Sequence, residues 1–295
     1  MRVLIVGCGY VGTAAGALLA DGGHRVFGLN RSSSDQEALR GHGIEPLVGD
    51  LTRSEDLSAL PGPFDWVVNA VSSSRGDASV YRKVYVEGNR NLVAWLATQD
   101  VKRVLFTSSS SVYGQMDGST VDEQSPTEPN SETARIVLEA ERVFLDAHQN
   151  QGFPASILRL SGIYGPGRGF LFHQFLKGDA RLPRDEKRFI NMIHRDDITR
   201  AVVAALEKGE PGAIYNVTDD EAVTQRVFFQ WLAEQTGLPM PPESDESRPT
   251  NRKRALTRKR VSNRRLREEL GVHLEFPTFR EGYAPELRRL GYSEG

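Results

Sequence analysis

Three glycines near the N-terminus have the spacing G-x-G-x-x-G, which suits a loop that binds phosphate groups. They follow the apolar run at 3–6 and open a stretch rich in small residues, and a second apolar run comes at 25–29. In this setting the first glycine permits a tight turn, the second lets the backbone approach a pyrophosphate, and the third lets a helix pack closely on a strand. We therefore predict a dinucleotide site here, the alternative being a turn without a ligand. The predicted loop residues are Gly7, Gly9, Tyr10, Val11 and Gly12.

The end of the second apolar run, where such a site meets the adenosine ribose, has no acidic residue. The chain reads Asn30-Arg31-Ser32 at this point, and two more serines follow. An Asp or Glu here would bind the ribose 2′-hydroxyl of NAD, whereas a neutral residue followed by Arg suits the 2′-phosphate of NADP. A guanidinium can also hold a phosphate through two parallel hydrogen bonds. We predict NADP as the cofactor, bound by Asn30, Arg31 and Ser32; the alternatives are NAD and an exposed turn with an incidental Arg.

A third apolar run, at 46–49, leads into Asp50 and Leu51. A carboxylate at this place can accept a hydrogen bond from the adenine amino group, so we predict that both residues contact the cofactor. An equally good alternative is that Asp50 is a turn residue that caps the next helix.

Short apolar runs alternate with amphipathic stretches along most of the chain. This alternation predicts parallel strands joined by helices, because parallel strands need a crossover between them. We therefore predict an α/β fold, a Rossmann-like doubly wound parallel sheet with a small C-terminal substrate lobe. The predicted strands are 3–6, 25–29, 46–49, 66–70, 104–107, 155–160 and 213–217, and the predicted helices are 12–20, 84–98, 131–148, 197–208, 264–270 and 283–290.

The character of the sequence changes after about residue 165, where a glycine-rich loop appears and, beyond 238, prolines and charged residues dominate. We assign 1–165, with about 190–220, to an NAD(P)-binding Rossmann domain. The remainder, about 166–189 with 221–295, is predicted to form a small substrate-binding lobe. This lobe is expected over the carboxyl edge of the sheet, where open α/β sheets bind their ligands.

Composition narrows the classes of partner. The chain has 295 residues, 39% of them hydrophobic, a net charge of −2 and one cysteine. Balanced charge argues against nucleic acid and membrane surfaces, no apolar run has the length of a membrane helix, and one cysteine excludes a cysteine-based metal cluster. We expect a cytoplasmic protein without a bound metal. Ten basic residues within 248–267 could form a nucleic-acid arm, but we favour a solvated or anion-facing surface.

Further motifs follow the glycine loop in a fixed order. They are VEGNRNL at 86–92, FTSSSSVYG at 106–114, LRLSGIYGPG at 158–167, NMIHRDD at 191–197, YNV at 215–217 and RVSN at 260–263. With these motifs the chain resembles, over nearly its whole length, the nucleotide-sugar epimerase/dehydratase branch of the extended short-chain dehydrogenase/reductase family. The resemblance implies that Ser109 is the catalytic serine and that His194 and Asp197 tie two lobes together. It also implies that the cofactor passes Ala70, Val71, Ser72, Leu160, Ser161 and Ile163.

The chain departs from this family at the active-site pair. Members carry Tyr-x-x-x-Lys on the helix after the serine run, where the Tyr exchanges a proton with the substrate and the Lys assists it and holds the nicotinamide ribose. Aligned through 138–141, these two positions hold Thr133 and Val137, which cannot do that chemistry near neutral pH. A positioned acid or base contributes about 10²–10⁴-fold in rate, so catalysis requires a substitute. Candidates beside Thr133 are Tyr113, Glu132, Arg135 and Tyr164.

Among these candidates we retain Thr133 and Tyr164, together with Ser109, as predicted catalytic residues. Arg135 stands two residues before the lost Lys, on a different helix face, and is a poor substitute. For Tyr113 and Tyr164 the alternative is packing within the family motifs.

Two functions stay open from the sequence. One is an NADP-dependent oxidoreductase or sugar-nucleotide-modifying enzyme with altered proton-transfer residues, and the other is a catalytically inactive NADP-binding sensor or regulatory protein. We favour the enzyme because the substrate lobe is retained. Its substrate would be a small molecule, such as a nucleotide sugar or another anionic compound. A homodimer is an option, because the helices at 84–98 and 131–148 often pair in this family.

Overall fold

The computed structural model describes residues 1–72, 77–183, 188–244 and 258–292. Its strands are β1 (Arg2–Val6), β2 (Arg25–Asn30), β3 (Ile44–Val48), β4 (Trp66–Asn69), β5 (Arg103–Ser109), β6 (Thr120–Val121), β7 (Ala155–Leu160), β8 (Gly162–Tyr164), β9 (Phe189–Ile190), β10 (Met192–His194), β11 (Ile214–Val217), β12 (Val223–Thr224) and β13 (Arg260–Val261). Its helices are α1 (Tyr10–Asp21), α2 (Gln36–Gly41), α3 (Ser54–Ser58), α4 (Ala78–Arg82), α5 (Gly88–Leu96), α6 (Glu132–Gln151), α7 (Phe170–Leu176), α8 (Arg195–Lys208), α9 (Gln225–Thr236), α10 (Arg264–Glu268) and α11 (Phe279–Arg289), with a π-helical turn at Lys83–Glu87 and a 3-10 turn at Ser110–Val112.

Seven strands form one sheet in the order β11-β7-β5-β4-β1-β2-β3, and all neighbours in it are parallel. Val3 of β1 pairs with Val26 on one side and with Trp66 on the other. The chain therefore winds outward in both directions from β1, and the carboxyl ends of β1 and β4 flank a switch point, where open α/β sheets bind ligands. The predicted Rossmann-like α/β fold is confirmed.

Alternate residues of β1 face the two helical layers. Val3 and Ile5 lie in the apolar cluster shared with α1 and α8, whereas Leu4 and Val6 lie in the cluster shared with α5 and α6. All four are at most 1% exposed. A strand that is covered on both faces explains why 3–6 is uniformly apolar. Burial of each such side chain contributes about 1.5–3 kcal/mol.

A third apolar cluster joins α7, α9 and α11. The rings of Phe172 and Tyr283 stack with centroids 4.6 Å apart, and Phe228 meets Phe279 edge to face at 5.2 Å. The sequence predicted neither α7 nor α9, whose apolar residues face this cluster of distant segments. The division of the chain into a Rossmann domain and a substrate lobe stays a prediction.

The helix predicted at 84–98 begins earlier in the structure. Asp77 caps it, because its carboxylate accepts hydrogen bonds from the N–H groups of Ser79 and Val80. The helix then continues through α4, the π-helical turn and α5. No residue of α4 is buried, so its sequence has no apolar period from which the early start could be predicted.

Membrane-spanning helices are absent from the described ranges, since none of the helices there is both long and apolar enough.

Candidate dinucleotide and substrate site

The glycine loop connects the end of β1 to α1, and its glycines differ in what they permit. Gly7 has a φ of 90°, and a side chain on it would collide with the backbone of Val71. A methyl group on Gly12 would overlap the carbonyl oxygen of Gly7. A methyl group on Gly9, in contrast, would have no described atom within 4 Å. Gly7 and Gly12 are thus required by the turn itself, whereas Gly9 leaves an open space at the start of α1.

The N-terminus of α1 is able to receive an anion. No side chain in the described part of the chain caps this end, and its first turn, which includes Tyr10 and Val11, holds no acidic residue. First-turn N–H groups of a helix lack intrahelical acceptors and attract negative charge. The hydroxyl of Tyr10 donates to the carbonyl of Pro166 at 3.2 Å, so this turn also contacts the loop after β8. With the open space at Gly9, these groups can hold a pyrophosphate.

Asn30 holds the glycine loop in place. Its Oδ1 accepts the N–H of Cys8 at 2.8 Å, and its Nδ2 donates to the Cys8 carbonyl at 3.4 Å. The sequence did not indicate this positioning role, and a contact from Asn30 to the ribose stays a prediction. Cys8 is 6% exposed, and burial raises the pKa of its thiol to about 12, which makes it a space-filling residue.

Arg31 and Ser32 follow β2 on the exposed surface. The hydroxyl of Ser32 donates to that of Ser34 at 3.0 Å and accepts the N–H of Ser34 at 3.1 Å. The charge of Arg31 helps to lower the pKa of Asp50, so these two residues lie near each other. Both predicted phosphate contacts therefore stand at the edge where β2 and β3 end.

Asp50 forms a tight turn before α3. Its Oδ1 accepts both the N–H and the hydroxyl of Thr52 at 2.9 Å. Burial raises the pKa of Asp50, but the hydrogen bonds from Thr52 and the charge of Arg31 outweigh it, and the net shift is downward. The geometry matches the turn part of the alternative, but the N-cap of α3 is Arg53 and no side chain caps it among the described residues. A contact from Asp50 to adenine stays a prediction. Leu51 is 5% exposed and packs against Gly88.

Two buried asparagines position the end of β4. Nδ2 of Asn69 donates to Oδ1 of Asn89 at 2.6 Å, and Oδ1 of Asn69 accepts the N–H of Val71 at 3.2 Å. The Nδ2 atom of Asn89 is buried with no hydrogen-bond partner among the described residues. Buried donors are normally paired, so this atom is available to a bound molecule or a water. Ala70 and Val71 are half-buried and Ser72 is exposed at the same strand end.

Ser109 ends β5 at the same edge of the sheet. It is half-buried, and its hydroxyl accepts the N–H of Ser111 at 3.2 Å. In the pairing of β5 with β7 it stands opposite Leu160, which is 6% exposed. The hydroxyl of Ser161 donates to that of Ser110 at 3.4 Å, and Ile163 is half-buried in β8. The structure therefore brings the predicted serine and the predicted nicotinamide-facing residues together.

A buried charge network lies beneath this serine turn. Glu141 of α6 and Arg159 of β7 are 0% and 3% exposed, and two parallel hydrogen bonds of 3.0 and 2.7 Å join them. Ser108 donates to Glu141 at 2.5 Å, and Arg159 donates to the hydroxyl of Tyr113 at 2.8 Å. That hydroxyl donates in turn to Asn216 at 2.9 Å. The network connects the helix, three strands and the serine turn.

The hydrogen bonds of this network bear on whether Tyr113 can exchange a proton with the substrate in place of the family's tyrosine. Tyr113 is 0% exposed, burial raises its pKa, and its hydroxyl is engaged by Arg159 and Asn216. Packing is therefore the better interpretation of Tyr113. The pairing of Glu141 with Arg159 was not predicted from the sequence; the one available signal was a charged residue, Arg159, in the otherwise uncharged strand β7.

The α6 face that carries the active-site pair in the family is weakly polar here. Thr133 is half-buried, and its hydroxyl lies 3.4 Å from that of Ser131, the helix cap. Val137 is 5% exposed. It belongs to an apolar cluster that contains Val112, Tyr113, Val121 and Val261. Glu132 and Arg135 are exposed. This face thus offers a hydroxyl at one position and an apolar surface at the other.

Tyr164 lies inside the third apolar cluster. It is 1% exposed, its ring stacks on Tyr283 with centroids 4.6 Å apart, and its hydroxyl donates to the carbonyl of Thr278 at 3.2 Å. Burial raises its pKa, and the charge of Asp219 adds to the effect. We therefore interpret Tyr164 as a packing residue.

Asp197 and His194 join α8 to the C-terminal region. The carboxylate of Asp197, 0% exposed, accepts the N–H groups of Glu275 and Phe276 at 2.8 and 3.0 Å. The ring of His194 lies 3.8 Å from that of Phe276 between centroids. These contacts connect α8 to residues 275–276, in keeping with the connecting role that the family resemblance implied for His194 and Asp197.

Within the described part of the basic stretch, Arg264, Arg265 and Arg267 form ion pairs. Arg265 pairs with Glu269, and Arg267 pairs with Asp220, each at 2.6 Å. The basic residues at 248 and 252–254 lie outside the described residues. The pairing supports a solvated surface for 264–267.

Comparison with known proteins identifies the family. Residues 3–218 match the family described as "NAD dependent epimerase/dehydratase family". The chain belongs to this epimerase/dehydratase family. Protein YeeZ of Escherichia coli K12 is 30% identical over 284 residues, which cover 94% of this chain and 96% of YeeZ.

Solved structures share the fold of this chain. A conserved protein of unknown function from Silicibacter pomeroyi is 31% identical, with a TM-score of 0.79 over 99% of each chain. UDP-glucuronic acid 4-epimerase from Bacillus cereus, solved in complex with NAD, is 20% identical, with a TM-score of 0.80 over 98% of this chain and 99% of that one. The second likeness is one of fold.

The residues of this chain fit a dinucleotide of the kind that the epimerase/dehydratase family binds. The open space at Gly9 and the uncapped start of α1 suit a pyrophosphate. Arg31 follows β2 on one side of β1, and on the other side Asn89 of α5, with its unpartnered Nδ2, is bonded to Asn69 at the end of β4.

Proposed function

We propose that this protein binds NADP and uses it in an oxidation or reduction of a small anionic substrate, with a nucleotide sugar as the first candidate. The observation that carries the proposal is the glycine loop, in which Gly7 and Gly12 are sterically required and Gly9 leaves room at an uncapped helix end. Membership of the epimerase/dehydratase family supports a redox use of the dinucleotide.

The preference for NADP is supported by the residues that follow β2. An acidic side chain, which would bind the 2′-hydroxyl of NAD, is absent from 30–34. Arg31 is exposed and can turn towards a 2′-phosphate, where two charge-assisted hydrogen bonds would form. The nearby carboxylate of Asp50 is already bonded to Thr52, which leaves it a weak competitor for the guanidinium.

The substrate class rests on a relative. The fold neighbour from Bacillus cereus is an epimerase of UDP-glucuronic acid, and a nucleotide diphosphate is a strong anion. The predicted C-terminal lobe of this chain contains the basic stretch 248–267, part of which could face such a ligand.

Within the site, the bound dinucleotide would supply or accept the hydride. Ser109 would donate a hydrogen bond to the substrate oxygen, because it lies half-buried at the carboxyl edge of β5. Leu160 and Ile163 would keep water from the reacting carbon. The bonds that fix Asn69 and Asn89 would hold the loop at Val71 against the cofactor.

A turnover screen tests this function. The wild type would be incubated with NADPH and panels of carbonyl compounds and 4-keto sugar nucleotides, and with NADP and the corresponding alcohols, while absorbance at the nicotinamide band is followed. We expect turnover with at least one anionic substrate, and a loss of about 10²-fold or more in Ser109→Ala. Ser58→Ala, a surface serine of α3, is the matched control and should keep full activity. Absence of turnover with every panel would contradict the proposal.

A second function is favoured by Thr133 and Val137, which leave the helix face without an ionisable pair. In this alternative the chain is a sensor that binds NADP without redox chemistry. It predicts tight binding of NADP, no turnover, and an oligomeric state or partner affinity that changes when NADP is removed. Light scattering of the purified protein with and without NADP tests it, and an unchanged state with no cofactor-dependent partner rejects it.

A further inference from the structure

A short C-terminal segment, 258–262, lies beside the serine turn. Its N–H groups donate to carbonyls of the segment 115–121 at 2.9 to 3.1 Å. Asn191 holds the segment from another side, because its Nδ2 donates to the carbonyl of Lys259 at 3.0 Å and its Oδ1 accepts the N–H of Val261 at 2.7 Å. The backbone of Lys259 is therefore fixed between two parts of the site.

The side chain of Lys259 is directed at the serine turn. Its Nζ donates to the carbonyl of Tyr113 at 2.9 Å, and the residue is 4% exposed. Tyr113 ends the 3-10 turn whose cap is Ser109. Val137, at the position of the family's lysine, packs in the same apolar cluster as Tyr113. A buried amine thus lies one turn from Ser109, next to the helix face that has lost its cation.

Asn191 also connects this segment to the strand ends that are predicted to face the nicotinamide. The carbonyl of Asn191, which anchors Lys259, accepts the N–H of Gly162 at 2.9 Å. Gly162 stands between Leu160 and Ile163 in the chain. The backbone contacts therefore link Lys259 to both sides of the predicted reaction centre.

We propose that Lys259 gives and takes the proton at the substrate oxygen, in place of the Tyr-x-x-x-Lys pair that Thr133 and Val137 have replaced. This inference rests on the proposed oxidation or reduction and names the group that completes it. An ammonium can hold several acceptors at once, so its bond to Tyr113 is compatible with a further bond to a substrate oxygen.

The environment of Lys259 suits proton transfer near neutral pH. Burial lowers its pKa to about 8, and a general acid or base works best when its pKa lies near the working pH. Among the described residues, the charged and titratable groups on the elements around Lys259 include Tyr113, Asp117, Glu123, Glu141, Arg159, Arg258 and Arg260. Glu141 and Arg159 pair with each other, and Glu123 accepts the N–H of Asn216. Burial is the cause of the shift in the pKa of Lys259.

In a reduction, the carbonyl carbon would receive hydride from the bound dinucleotide, the π electron pair would move onto the oxygen, and the oxygen would take a proton from Nζ of Lys259. The amine is then neutral and regains a proton from solvent. In an oxidation the neutral amine removes the hydroxyl proton while hydride leaves the carbon. Reduction therefore slows as the pH rises through about 8, and oxidation speeds up over the same range.

Trace acetylation measures the pKa of the Lys259 amine and does not require turnover. The wild type would be labelled with acetic anhydride between pH 6 and 11, with an added reference amine, and the Lys259 peptide quantified by mass spectrometry with and without saturating NADPH. We expect a labelling midpoint near pH 8 and slower labelling with NADPH bound. A midpoint above 10, no effect of NADPH, or no labelling at any pH would overturn the proposal, because each is incompatible with a proton-exchanging amine in the cofactor site.

Variants test the role in catalysis. With any substrate that the wild type turns over, Lys259→Met should lower kcat by about 10²–10⁴-fold and remove the pH dependence near 8. Lys259→Arg keeps the charge but cannot release a proton, so it should be as slow. Lys208→Met, which also removes a bond from a lysine to a backbone carbonyl, is the control and should remain active.

Thermal denaturation and NADPH titration would confirm that each variant is folded and binds. A folded Lys259→Met variant with wild-type kcat overturns the proposal while the proposed function stands. If the wild type itself has no turnover, the proposed function fails, and the labelling result still decides whether Lys259 is a titrating amine in the cofactor site.

Discussion

The glycine loop follows β1, and the α6 face around Val137 packs on the turn that follows β5 in the same sheet; the two preserve the family pattern to different degrees. At the loop, Gly7 and Gly12 are enforced by contacts and Asn30 ties the turn to β2. At the α6 face, Val137, which the sequence motifs align with the family's lysine, lies in an apolar cluster, yet the Glu141–Arg159 pair beneath it is complete. From this comparison we propose that the proton-transfer groups differ from the family pair while the frame around them is kept.

The largest effect on stability is expected when the buried Glu141–Arg159 pair beneath the serine turn is broken. Glu141→Leu leaves Arg159 buried without its carboxylate, and should lower the free energy of unfolding by about 3–5 kcal/mol. Chemical denaturation measures it. The double variant Glu141→Leu with Arg159→Met removes both charges and should lose much less. If Glu141→Leu were as stable as the wild type, the Glu141–Arg159 pair would not stabilise the folded chain.

The glycines of the loop should separate folding from binding. Gly12→Ala forces a methyl group into the carbonyl of Gly7 and should cost about 1–3 kcal/mol of stability. Gly9→Ala has room for its methyl group and should melt like the wild type. It should nevertheless bind NADPH at least about tenfold more weakly, a loss of about 1.4 kcal/mol. Melting curves and fluorescence titrations measure both. Unchanged binding in Gly9→Ala would place the pyrophosphate elsewhere.

Restoring the family pair should not restore its chemistry. Thr133→Tyr with Val137→Lys would bury an ammonium among Val112, Val121 and Val261, and should cost about 2 kcal/mol of stability. Because that cluster offers apolar contacts, we expect no rise in turnover. Thr133→Ser, which keeps the hydroxyl, is the control and should leave stability unchanged. A faster enzyme of undiminished stability would mean that the α6 face is still adapted to the lost pair.

The sequence predicted the parts of the fold that depend on local pattern. Uniformly apolar runs such as 3–6 predicted the buried strands, and the glycine spacing predicted the turn into α1, because both are properties of neighbouring residues. The helices α7 and α9 were missed, since their apolar residues face a cluster assembled from distant segments.

The candidate site divides in the same way. Motifs placed Ser109 and the glycines, and the structure brings them to one edge. The role of Asn30 as a clamp on Cys8, the Asn69–Asn89 pair and the position of Lys259 all depend on contacts between residues more than 18 apart in sequence. Such contacts leave no trace in spacing, so they could not be predicted from a single chain.

The most direct test of the account is a paired titration of NADPH and NADH against the wild type and Arg31→Ala. Arg25→Ala, at the other end of the same strand and paired with Glu45 on the surface, is the matched control. We predict that the wild type binds NADPH at least about tenfold more tightly than NADH, and that Arg31→Ala removes this difference by weakening NADPH alone. Equal affinities in the wild type, or a preference for NADH, would contradict the assignment of NADP to this site.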